Sequence, residues 1–238
     1  MIVLALDTCD ARGSIAVLND GALLASLQHD STEDYSSWLL PAANRALATA
    51  RVRLAEIDLF AAAAGPGSFT ALRVGLTTVK AWAEVYRKPV VPVSRLEALA
   101  EQVPAPGDLV AAFVDARRDQ LYAGLFRRCS SGFTILGEES LIAPEDFLSE
   151  VANQAAGKPV AWVSLDPPSI TRTSIWAERA AMGESVIAAD PLIAPTIARM
   201  AIRKAAEGLS VDALALDANY IRRCDAELSG KGQTPHVK

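Results

Sequence analysis

Histidine is the scarcest reactive residue in this chain of 238 amino acids: there are two, His29 and His236. No His-x-x-x-His pair exists, so the chain offers no helix-borne metal site of that kind. Ser-His-Asp chemistry has only His29 as a base, and nothing in the sequence brings a nucleophile to it; His29 reads as an ordinary surface histidine. Cysteine is nearly as sparse. Cys9, Cys129 and Cys224 are odd in number, far apart and without a C-x-x-C pattern, which excludes a disulfide framework or a zinc knuckle and fits reduced, partly buried thiols. Basic clusters are also lacking: 23 Lys and Arg stand against 28 Asp and Glu, a formal net charge of −5, and Arg117-Arg118, Arg127-Arg128 and Arg222-Arg223 are isolated pairs. A protein that grips nucleic acid on its own shows a basic face, so weak or no binding of nucleic acid by the isolated chain is expected. No apolar run reaches the length of a bilayer span, and Met1 to Leu6 has no basic residues ahead of it and is cut by Asp7, unlike a signal peptide. A cytoplasmic protein with no membrane partner is expected.

What is present is aliphatic, with room for one large domain or two small ones. Ile2 to Leu6, Ser14 to Leu18 and Ala22 to Gln28 read as strands, the last two joined by Asn19-Asp20-Gly21, whose residues tolerate positive φ. Tyr35, Trp38, Leu39, Ala42, Ala43, Ala46, Leu47 and Ala50 recur at three- and four-residue steps and predict a helix, with Ser36 or Ser37 as cap and Pro41 near the first turn. The strand Leu59 to Ala64 then runs into Gly65-Pro66-Gly67-Ser68-Phe69-Thr70 and a helix to Tyr86, capped by Ser68 or Thr70. That helix is apolar on two sides and must be buried on both.

Val90 to Val93 is a short strand, and Ser94 caps a helix over Leu96 to Gln102. The stretch Pro104 to Asp108 breaks the pattern and marks the boundary between halves. Beyond it come strands at Leu109 to Asp115, Gln120 to Arg127 and Phe133 to Leu136, a helix near Glu145 to Val151, a strand at Val160 to Ser164, and helices near Ser174 to Met182 and Pro195 to Glu207. Asp166-Pro167-Pro168 and Asp190-Pro191 read as turns. Meander, helix, strand, helix, then a degenerate second copy, predicts a duplicated α/β architecture with mixed sheets. The expected division is an N-terminal lobe over residues 1–103, a C-terminal lobe over 104–228, and a frayed tail over 229–238.

The glycine turn resembles a phosphate cradle, but no Gly-Lys-Ser/Thr follows, and Thr70 stands where G-x-G-x-x-G wants its third glycine. At the end of the first strand, Asp7-Thr8 is followed by Cys9, where close approach of backbone to phosphate calls for glycine, so Asp7 reads as a turn cap. Asp115-Ala116-Arg117 reads as a salt-bridged turn.

Taken together, Leu4-Ala5-Leu6-Asp7-Thr8, Gly65 to Gly75, Pro92-Val93-Ser94 with Leu96, Asp115-Ala116-Arg117 followed by Tyr122-Ala123, and Tyr220-Ile221-Arg222 with Ala226-Glu227 resemble the bacterial TsaB (YeaZ) family along nearly the whole chain. The resemblance implies an actin-like, sugar-kinase/Hsp70-type fold of two related lobes. It also implies a noncatalytic part in making threonylcarbamoyladenosine at the tRNA adenosine beside the anticodon. The partners implied are a metal-bearing catalytic paralogue, TsaD, and an ATPase, TsaE, with tRNA reached only through the complex and a homodimer when the chain is alone. Where relatives begin the first helix with His-Ser, this chain has Tyr35-Ser36. The partner surface is expected on the helix pair, at Tyr35, Trp38, Leu39, Phe69, Thr70, Arg73 and Val74, although periodicity leaves open whether those helices are buried within the chain itself. No catalytic or metal residues and no cofactor of the isolated chain are expected, with a nucleotide between subunits left open. The rivals are an ATP-dependent kinase of the same fold, a glycopeptidase-like hydrolase, and a self-associating homodimer with a separate role that uses the same helices.

Overall fold

The computed structural model describes residues 1–29, 33–104, 108–130, 132–219 and 221. The first half is β1 (Ile2–Asp7), β2 (Ser14–Asn19), β3 (Ala22–Gln28), α1 (Tyr35–Ala50), β4 (Leu59–Gly65), α2 (Phe69–Tyr86), β5 (Val90–Ser94) and α3 (Arg95–Ala100). The second is β6 (Leu109–Arg117), β7 (Gln120–Cys129), β8 (Gly132–Ile142), α4 (Pro144–Ala155), β9 (Val160–Ser164), α5 (Pro168–Thr171), α6 (Ser174–Ala181), β10 (Val186–Ala188) and α7 (Ala194–Ala206).

The two sheets run β3-β2-β1-β4-β5 and β8-β7-β6-β9-β10. In each, three antiparallel strands form a meander and two more join in parallel beside the first, β4 on β1 and β9 on β6. The second sheet therefore repeats the first strand for strand. Parallel additions need crossovers, which α1, α2 and α4 to α6 provide.

At the β2–β3 turn Asp20 and Gly21 take φ of 46° and 82°, as a two-residue hairpin requires. The first helix starts at Tyr35 with Asp34 at its cap position, not Ser36 or Ser37, so Pro41 falls in the second turn on the exposed side. There its missing N–H forgoes a helical bond. Strands β1 and β4 are buried along almost their whole length, so helices must cover both faces of that sheet. Helices α1 and α2 pack over β2–β3 and β4, and α7 packs over β1, β2 and β5. Ser14 Oγ anchors the start of α7 by accepting from the Ala194 amide at 3.0 Å.

The second core is aromatic: Phe113, Phe147, Trp162 and Trp176 meet edge to face in sequence, with centroid separations of 6.3, 6.0 and 5.3 Å. Trp162 donates its buried N–H to Glu184 at 2.7 Å. Two short elements depart from the sequence reading. Pro167-Pro168 opens α5 instead of a simple turn, with proline in the first helical turn, where no N–H is needed. The three residues of β10 are too few for alternation to register. Strand β8 also runs well beyond Leu136, across an irregularity at Gly137 to Glu139. The Tyr220 and Arg222 to Glu227 parts of the C-terminal motif, Cys224, His236 and the tail lie outside the described residues.

Candidate functional site

Beyond the paired strands β1 and β4, the loops that follow them pack closely upon one another. A Cβ placed on Gly67 would stand 2.2 Å from the Cys9 carbonyl oxygen, so the glycine turn lies directly on the β1–β2 loop. The Ser68 amide donates to that carbonyl at 2.6 Å. Ser68 occupies the cap position of α2, but its hydroxyl makes no capping bond; the carbonyl of Cys9 takes the free amide instead. Thr8 packs against Gly75, where an added Cβ would come within 2.3 Å of Thr8 Oγ1. The Ser68 amide is thus committed to protein oxygen.

Beneath the loop lies a buried charge cluster. Asp7 caps its own turn, accepting from the Cys9 amide at 2.8 Å. Its other oxygen faces Arg95 Nε at 3.3 Å, and Arg95 Nη2 stands 2.8 Å from Asp10 Oδ2. Arg95 is 1% exposed, and both contacts are charge contacts at poor hydrogen-bond angles, leaving Asp7 Oδ2 and Arg95 Nε and Nη2 without aligned partners. Burial pulls the Arg95 pKa down, but Asp7 and Asp10 outweigh it, so the guanidinium stays charged. Burial likewise raises the Asp10 carboxyl, and Arg95, the Arg12 amide and the Arg12 guanidinium overcome it and hold the group below its usual value. Burial and the Asp7 charge push the Cys9 thiol well up, which keeps it protonated and unreactive.

Arg12 carries the network to the second sheet. Its guanidinium bonds Asp10 at 2.9 Å, Asp166 at 3.0 Å and the Leu165 carbonyl at 2.9 Å. Asp115 and Arg117 form the expected turn pair, with the Arg117 amide on Asp115 Oδ1 at 2.7 Å; residues 117 to 119 all take positive φ, from 54° to 64°.

Tyr35 secures the loop from the other side. Its hydroxyl donates to the Asp10 carbonyl and accepts from the Gly13 amide at 2.7 Å, and burial, joined by Asp7, raises its pKa. His29 is not the surface residue expected: it is 5% exposed, stacks on Tyr35 at 4.3 Å, and faces the carbonyls of Ala11 and Glu33 through its two ring nitrogens, each at 2.8 Å. The strand it follows, β3, ends under α1, so chain position, not charge, decides its burial.

Of the residues expected at a partner surface, Tyr35, Trp38 and Leu39 turn into the chain's own core, because α1 must cover the β2–β3 face. Phe69 and Val74 are half-buried, and Thr70 and Arg73 are exposed, with the Arg73 guanidinium 3.7 Å over the Phe69 ring. The outward side of the pair instead presents Leu40, 52% exposed, and Val85, 72% exposed. Arg95 was missed as a site residue. The signal available was Leu96, Ala98, Leu99 and Ala100 around it, since a helix apolar on every side buries whatever polar residue it carries.

The duplicated mixed sheets with their flanking helices define a two-lobed protein of the actin-like fold class. A family model described as "TsaD: tRNA N6-adenosine threonylcarbamoyltransferase" matches residues 28–217. The tRNA threonylcarbamoyladenosine biosynthesis protein TsaB of Escherichia coli is 28% identical over 69% of this chain and 71% of its own length. The protein of the same name from Bacillus subtilis is 32% identical over 53% of this chain, which spans 56% of that relative. Among solved structures, YeaZ from Pseudomonas aeruginosa superposes with a TM-score of 0.72 at 27% identity, covering 92% of this chain and 99% of its own. The chain belongs to the TsaB/YeaZ family of tRNA threonylcarbamoyladenosine biosynthesis proteins.

Proposed function

We propose that this chain is a noncatalytic scaffold or activator subunit of the complex that installs threonylcarbamoyl on the tRNA adenosine beside the anticodon. It pairs with a TsaD-like catalytic paralogue and works beside a TsaE-like ATPase, in the cytoplasm. The observation that carries the reading is the filled loop: Gly67 lies on the Cys9 carbonyl, Arg95 sits on the two aspartates, and the Cys9, Arg12 and Gly13 amides already donate to Asp7, Asp10 and Tyr35. A subunit that has given its nucleotide cradle to internal packing contributes by surface, and the outward side of α1 and α2 offers one, with Leu40 and Val85 set among small and polar residues.

The test is co-purification and gel filtration with the catalytic paralogue. Leu40→Glu should leave the thermal melt of the isolated chain unchanged and abolish the complex, because an unpaired charge desolvated in an interface costs roughly 3–5 kcal/mol while an exposed one costs little. A folded variant that still binds would move the interface elsewhere. Calorimetry of the isolated chain with ATP and magnesium should show no saturable heat; a stoichiometric response would restore the kinase reading.

A further inference from the structure

Strand β8 carries an insertion that the fold does not need. Ala123 pairs with Ser140 and Leu125 with Leu136, so Gly137, Glu138 and Glu139 bulge opposite Gly124 alone. Gly137 takes a φ of 85°, open to glycine at little cost. A Cβ on Gly124 would meet the Phe126 ring at 3.0 Å, so the absent side chain makes room for that ring, and Glu139 Cγ lies in ordinary contact beside it at 3.5 Å. Bulges of this kind re-aim a side chain, and this one aims a carboxylate into a cavity of about 520 Å³, within the range of small-molecule sites.

The cavity has an apolar wall, formed by Phe133 and Ile135 over the buried Phe126, and an acidic side. Glu139 is fixed from below: Ser94 Oγ donates to one oxygen and Asn219 Nδ2 to the other, the latter at 2.6 Å. Lys204, the one basic residue of the lining, is already paired with Glu97 at 2.8 Å. That leaves the carboxylates of Glu138, on the exposed rim, and Glu139, within, without a salt bridge among the described lining residues, Lys204 reaching Glu139 only at longer range. An anion entering here meets like charge. A planar, weakly hydrated cation meets both carboxylates and the apolar wall. The Phe133 ring already takes a guanidinium, that of Arg128, at 4.6 Å from its centroid.

We propose that the cavity beside the β8 bulge is a binding site for a planar organic cation, a guanidinium or amidinium group carried on a flat or slender apolar body, seated against Phe133 and Ile135 and held by Glu139 and Glu138. Burial raises the Glu139 carboxyl despite its two hydrogen bonds, and an adjacent cation would favour its charged form.

The experiment is calorimetric titration of the full chain with three molecules of one shape: benzamidine, benzamide and benzoate. Benzamidine is expected to bind saturably at one per chain, benzamide at least about tenfold more weakly, and benzoate not at all. Glu139→Gln should weaken benzamidine at least about tenfold. Glu138→Gln, on the exposed rim, should weaken it several-fold and keeps the test open if the buried variant fails to fold. A parallel titration with the blocked tripeptide acetyl-Gly-Arg-Gly-amide separates the two sources of such a group: binding of the tripeptide points to an arginine side chain of a partner, binding of benzamidine alone to a free small molecule. No saturable heat from benzamidine or the tripeptide, equal binding of benzoate, or binding indifferent to both glutamate variants would each overturn the assignment.

Discussion

Replacing Arg95 by methionine should cost the fold about 3–5 kcal/mol, the penalty typical of breaking a buried ion pair from one side. The size follows from what is left behind. Asp7 is 0% exposed, with one oxygen on the Cys9 amide and the other facing only Arg95; Asp10 loses its Nη2 contact at 2.8 Å and keeps Arg12. Methionine fills much of the volume, so the loss is electrostatic and not a cavity effect. Against a total stability of roughly 5–15 kcal/mol for a domain, this is a large share, and urea unfolding followed by circular dichroism would record it as a lower midpoint at unchanged slope. The decisive comparison is the double variant. Arg95→Met with Asp7→Asn removes the orphaned charge together with its partner, and should be more stable than Arg95→Met alone. A single-variant loss under about 1 kcal/mol, the scale of an exposed pair, would refute the reasoning, as would a double variant in which the two losses simply add.

Gly67→Ala should destabilise by about 1–3 kcal/mol, read as a fall in Tm, because its methyl group has only the rigid Cys9 backbone to displace. Tyr35→Phe should cost about 1–3 kcal/mol, since it leaves the buried Gly13 amide without its acceptor; a loss near zero would mean that water takes the place of the hydroxyl. The Asp10 carboxyl is depressed in the fold, so its contribution is present above the unfolded carboxylate range and disappears as pH falls through the folded value. Asp10→Asn should therefore flatten the acid limb of a stability profile measured by urea midpoints, and an unchanged limb would count against the ion cluster.

The regular parts of the fold are legible because they repeat a period. Tyr35 to Ala50 announces its helix through apolar steps of three and four, and Ala22 to Gln28 is fenced by its turn. The strand of four alanines and its glycine turn show themselves by composition. What escapes the sequence is decided at long range. His29 looks like a lone polar residue at a strand end, and only the arrival of α1 stacks Tyr35 upon it. Arg95 sits in a short helix whose partners are 85 and more positions away in the chain, at Asp7 and Asp10. Trp38 and Leu39 were legible as apolar, but the surface they bury against is the chain's own sheet. Gly137 to Glu139 hides a bulge because two extra residues upset the alternation that would mark a strand.

The placement of α7 governs the order in which the protein can be made. All five strands of the first sheet leave the ribosome before residue 95, yet the helix that seals one side of that sheet spans 194–206. Until it emerges, Val3, Ala16 and Val91 lack the side chains of Ile197, Met200 and Ala201 that belong to the same core. The nascent first half therefore waits with apolar strands incompletely covered, a state that invites chaperones and slows folding through long-range closure. A chain stopped after residue 103 would carry every strand of its sheet and still lack one of its walls.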